Sequence, residues 1–116
     1  MLHRSQTSAQ TQVQTSAALV DVADQRGRRL ARPTLVHLTV TDALVRFPEP
    51  VGLFPDECVL VSIWLPNGGV HCLAAIEHVR RSSGFCTEVM MSFEHLSDDD
   101  RHLLADFLST APSTPA

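Results

Sequence analysis

Between Val59 and Phe93 the chain strings together three apolar, β-branched segments, and this stretch constrains the fold more than any other. Val59-Leu60-Val61-Ser62-Ile63-Trp64-Leu65 reads as a strand, and Pro66-Asn67-Gly68-Gly69 reverses the chain. Asn67-Gly68 is expected to supply the two φ > 0 positions of a tight hairpin turn. The returning strand is placed at Val70 to Val79 and a third at Phe85 to Phe93. Leu96-Ser97-Asp98-Asp99-Asp100 then opens a helix. Ser97 is its N-cap, and the carboxylates of the first turn suit the positive end of the helix dipole. Ser97 with Asp100 has the spacing of a capping box. Leu103, Leu104, Phe107 and Leu108 recur at helical spacing and form its apolar stripe.

Three shorter strands are expected upstream. Ala17 to Val22 is the first, followed by turn chemistry at Asp24-Gln25-Arg26-Gly27. The second runs from about Arg28 to Leu38; Pro33 lacks an N–H and places it at an edge or a bulge. Thr39 to Asp42 makes a bend, and Ala43 to Phe47 is the third. Residues 1–16 are Ser, Thr and Gln-rich and residues 110–116 are Pro, Ser, Thr and Ala-rich. Both are expected to be disordered around one domain at 17–109.

Alternation places Val59, Val61, Ile63 and Leu65 on one face of the fourth strand and Cys58, Leu60, Ser62 and Trp64 on the other. On the sixth, Phe85, Val89, Met91 and Phe93 oppose Cys86, Glu88 and Met90. A sheet buried on one side alternates more cleanly, so something is expected to cover the second face, the helix being one candidate. Otherwise Leu60, Trp64 and Met90 form an apolar patch that binds a partner.

Several function classes are disfavoured. A net charge of −4 gives no general attraction to nucleic acid or to an anionic membrane. No apolar run has the roughly 18 to 20 residues of a membrane span, and the start lacks the apolar core of a secretory signal. Cys58, Cys72 and Cys86 are expected to be buried reduced thiols of a cytoplasmic protein. These cysteines with His71, His78, His95 and His102 show no CxxC or HxxxH spacing, and no metal site is expected. No paired acid and base and no activated nucleophile can be assembled from the spacing, so the chain reads as non-enzymatic.

The order of these features carries a resemblance. Leu-Val-Arg-Phe-Pro-Glu-Pro (44–50), Leu-Pro-Asn-Gly-Gly (65–69), His-Val-Arg-Arg (78–81) and Met-Ser-Phe-Glu-His-Leu-Ser-Asp-Asp-Asp-Arg (91–101), each in its place among the strands, resemble a PilZ domain. The resemblance covers about residues 17–109. It implies a mainly β fold, a six-stranded antiparallel barrel with a C-terminal helix, in the bacterial receptor family for cyclic di-GMP.

The family's ligand motifs are Arg-x-x-x-Arg just before the first strand and Asp/Asn-x-Ser-x-x-Gly between the second and third. Aligned on Ala43-Leu44-Val45, His37, Thr39 and Asp42 stand where the family has Asp/Asn, Ser and Gly. Thr39 keeps the hydroxyl, whereas Asp42 puts a carboxylate where backbone would approach the ligand. At about 5 Å and an effective dielectric near 20, its repulsion of a phosphate is roughly 3 kcal/mol before screening. Arg28 and Arg32 have the arginine spacing but fall on the second strand; Ser5 to Ser16 has no arginine. A competing register starts the first strand at Pro33 to Val40 and makes Arg28 and Arg32 the motif. The cluster of Arg26, Arg28, Arg29 and Arg32 reads as a solvated edge that discourages strand pairing, or as a grip on phosphate.

The resemblance thus implies a signalling adaptor without a cofactor, cyclic di-GMP being at most a regulatory ligand. It would act through a protein partner of a motility or type IV pilus system, or through a second copy of itself. The alternative is a working cyclic di-GMP receptor using the Arg26 to Arg32 cluster, or Arg4, with Thr39.

Overall fold

Alternating burial along most of the strands sets the architecture. The computed structural model describes residues 18–30, 32–81 and 86–110; the disordered ends expected at 1–16 and 110–116 lie outside them except at Thr110, which instead ends the helix. Six strands, β1 (Leu19–Ala23), β2 (Thr34–Leu38), β3 (Asp42–Phe47), β4 (Cys58–Leu65), β5 (Gly68–Arg81) and β6 (Thr87–Glu94), precede one helix, α1 (Asp98–Thr110). They form one antiparallel sheet in the order β1-β4-β5-β6-β3-β2. Its edges, β1 and β2, curl toward each other, and no backbone ladder joins them among the described residues.

The inward residues make one core. Val20 and Val22, Val59, Val61 and Ile63, Val70, Ala74 and Ile76, Val89 and Met91, and Ala43, Val45 and Phe47 are all buried. At roughly 1.5 to 3 kcal/mol for each large side chain removed from water, this alternation is what fixes the register. Leu104 and Phe107 of α1 belong to the same cluster, with Leu103 packed against it. Leu103 lies over Gly68, where an added Cβ would sit 3.2 Å from its side chain. The helix therefore closes the inner side of the barrel. The second face of β4, which the helix was a candidate to cover, stays open.

Ser97 caps α1, accepting the Asp100 N–H at 3.1 Å, a contact worth about 1 kcal/mol. The Asp100 carboxylate does not complete the box; it accepts the His71 N–H at 3.4 Å and pins the helix to β5. Among the described residues no helix is long and apolar enough to cross a membrane.

Three details depart from the sequence reading. The β4–β5 loop is Pro66-Asn67, with Leu65 paired to Gly68; Asn67 keeps a negative φ, and Gly68 alone in this turn is positive, at 147°. The second strand begins at Thr34, not Arg28. Arg28 to Leu30 instead fold back on β1 through Asp24 N–H to Arg28 C=O and Leu30 N–H to Val22 C=O, both 2.9 Å. The Asp24–Gly27 turn makes that local pairing cheaper than a long second strand across Pro33. The three cysteines are half-buried rather than buried. Burial, then the nearby Asp100 charge, push the Cys72 thiol up to about 11, which keeps it protonated and unreactive.

Candidate functional site

The antiparallel order places the starts of β1, β3 and β5 and the ends of β2, β4 and β6 at one end of the barrel. The β2–β3 turn is there, and its polar groups bond to one another. The Thr39 hydroxyl donates to Asp42 Oδ1 at 2.9 Å and accepts the backbone N–H groups of Asp42 at 3.0 Å and Thr41 at 3.1 Å. The Thr39 N–H donates to the Asp42 carbonyl at 2.9 Å. His37, half-buried, lies two positions earlier, across from Leu44 and beside a bulge in β2.

Arg28 lies at the opposite end. Its side chain is 82% exposed and pairs with Asp24 at 3.4 Å, while Arg32 Nε donates to Asp21 Oδ1 at 3.1 Å. The backbone N–H of Arg28 acts most strongly; helped by the Arg26 N–H and the Arg28 charge it outweighs burial and holds the Asp24 carboxyl below its ordinary value. Arg26, Arg28 and Asp24 face Glu57 and Cys58 across a cavity of about 440 Å³. Thus Thr39 and Asp42 are brought together, while Arg28 is a barrel length away from them. β1 precedes Arg28 and pairs with β4, so the register with a first strand at 33–40 is corrected: both arginines follow the first strand. Arg4 falls outside the described residues.

The outer face of β1, β4 and β5 is the other candidate. Leu60 and Trp64 are 41% and 45% exposed, joined by Leu19 at 56% and Leu73 at 39%. The ladders explain the grouping: Leu19 pairs with Trp64 and Leu60 with Leu73. Leu19 and Leu73 escaped the sequence reading, although the alternation that exposed Leu60 applies equally to their strands. Met90 faces outward too, but half-buried between Leu44 and His78, apart from this patch. Among the described residues no three His, Cys, Asp or Glu side chains converge as a metal site would require.

A polar row crosses the patch. The Trp64 indole N–H donates to Asp21 at 3.2 Å, its ring meets His71 edge-on at 4.9 Å, and the His71 ring bonds Ser62 Oγ at 3.0 Å. Burial by itself pushes the Asp21 carboxyl up; the hydrogen bonds from Trp64 and Arg32, with the charges of Arg32 and Arg29, outweigh it and hold it below its ordinary 3.8. A lowered folded-state value adds stability above the unfolded value, and that stability is lost as the pH falls through the folded one. Asp21→Asn is therefore expected to lower the urea midpoint near neutral pH, with the gap to the parent closing in acid below about pH 3.8. A gap that stayed constant through the acid range would rule this out.

No family model and no curated protein matches the sequence. Solved structures do. An inhibitor of motility of Bacillus subtilis (MotI/DgrA) superposes with a TM-score of 0.67 at 10% identity, over 79% of this chain and 44% of that one. MrkH of K. pneumonia in its apo state gives 0.68 at 10%, over 82% and 46%. The chain thus spans under half the length of these two. The PilZ domain of YcgR from Escherichia coli, solved with c-di-GMP, gives 0.65 at 11%, over 83% of this chain and 82% of that domain. The six-stranded antiparallel order, the curled sheet and the C-terminal helix, matched over most of the chain by three such structures, give it a PilZ-like fold.

Proposed function

We propose that the chain is a non-enzymatic PilZ-like signalling adaptor of a bacterial motility or pilus system, working through protein contacts, with cyclic di-GMP binding lost or weak. The observation that carries this reading is the closed Thr39–Asp42 turn. A phosphate held at such a turn needs backbone N–H groups and a hydroxyl free to donate. Here the Thr39 hydroxyl and the Asp42 N–H are satisfied within the turn, and the Asp42 carboxylate occupies the donor side. Opening it would expose an anion toward another anion. Arg28 and Arg32, the described arginines with the right spacing, each pair with an aspartate elsewhere. The exposed apolar residues of β1, β4 and β5 supply a contact surface instead.

Isothermal titration calorimetry with cyclic di-GMP at moderate salt tests this. The expected result is no saturable heat and an unmoved melting temperature. Saturable binding in the micromolar range or tighter would overturn the reading in favour of a receptor, with Arg28→Ala and Arg32→Ala identifying the grip.

A further inference from the structure

We infer that the outer face of β1, β4 and β5 is the contact between two copies of this chain, related by a twofold axis running along β4. The inference names an occupant for the face that the proposed function uses, and it rests on that reading. Its ground is one row of paired residues. Arg29 bridges to Ala23, Ala23 pairs with Leu60, Leu60 with Leu73, and Leu73 with Glu94. Neighbouring strands lie about 4.8 Å apart, so along the curled sheet the row separates a cation from a carboxylate by roughly 19 Å with small and large apolar residues between. Arg29 is exposed, and its charge reaches Asp21 on the same face.

Such a row is complementary to itself when turned over. Rotation about an axis through Leu60 and along β4 sets Arg29 of each copy against Glu94 of the other and small Ala23 against large Leu73. Leu60 meets its own counterpart on the axis. This is the reciprocity of an isologous contact, in which residue i meets j and j meets i. The next row obeys the same operation: Asp21, Ser62 and His71 are paired neighbours, so Asp21 faces His71 of the other copy. Its polar groups already bond to Trp64, Arg32 and Ser62, which limits the cost of covering them. In the third row Trp64, the chain's single tryptophan, falls on the axis beside Leu19 and Gly69. A partner of one dominant charge would satisfy only one flank. A second copy satisfies both.

Sedimentation equilibrium of the full chain across a concentration series tests the contact, with Trp64 emission as a second reading. The parent is expected to dimerise. Arg29→Glu at an exposed position and Glu94→Arg at a half-buried one are each expected to weaken the dimer about 10-fold or more by setting like charges face to face. An equimolar mixture of the two variants is expected to regain association, because every altered charge then meets its opposite. Unchanged urea midpoints confirm that both variants are folded. A mixture no tighter than either variant alone overturns the twofold. So does a parent that stays monomeric. If that monomer gives no heat with cyclic di-GMP, the adaptor reading survives without the dimer; if it binds the nucleotide, both fall.

Discussion

Leu104→Ala is expected to cost about 2–5 kcal/mol of folding stability and to release α1 from the sheet. Leu104 is fully buried, and with Phe107 and Leu96 it holds the helix against the core. A helix of 13 residues is marginal by itself in water even with a favourable acidic first turn, so its order depends on that packing. The variant should lose both helical ellipticity and urea midpoint. Leu103→Ala, half-buried over Gly68, should cost clearly less. Equal costs for the two, or a Leu104→Ala loss below about 1 kcal/mol, would mean that the helix is held by its polar contacts to Asn67 and His71 instead.

Phe47→Ala is expected to be the most damaging single truncation, at about 3–5 kcal/mol. Phe47 is the largest of the fully buried side chains and ends β3 opposite Thr87. Thr87 is itself buried, with its hydroxyl directed to the Glu49 carbonyl at 3.4 Å. The cavity would thus open beside a buried hydroxyl held by that long bond. Against a typical total of roughly 5–15 kcal/mol, such a loss brings the domain close to unfolding at ambient temperature. The midpoint and slope of urea denaturation decide it. A shift under about 1 kcal/mol at unchanged slope would show that the core collapses around the gap.

The inner core was legible because period-2 alternation is a local property: Val59, Val61, Ile63 and Leu65 are buried as their spacing requires. The capped helix start was legible for the same reason. Which strand Arg28 to Leu30 pair with was not, since an alternating segment carries no mark of its partner and the choice was made by the Asp24 turn. The helix could be only one candidate cover for the open face, because an amphipathic stripe shows that something is covered, not which side. At the candidate site, His37, Thr39 and Asp42 could be named from sequence. That the Asp42 carboxylate closes on the Thr39 hydroxyl depends on side-chain conformation. The row from Arg29 to Glu94 draws on segments far apart in the chain, and no spacing rule connects them.

The sheet order also governs how the chain behaves while it is being made. β1 is synthesised early but has its ladder partner in β4, so it must wait until Leu65 has left the ribosome. Through that interval an apolar strand with two open edges is a template for unwanted pairing. The nearby Asp24–Gly27 turn lets Arg28 to Leu30 bond to Val22 and Asp24 as soon as they emerge, by closing only a short loop. This flap then covers one edge of the nascent strand for good and leaves the other to β4.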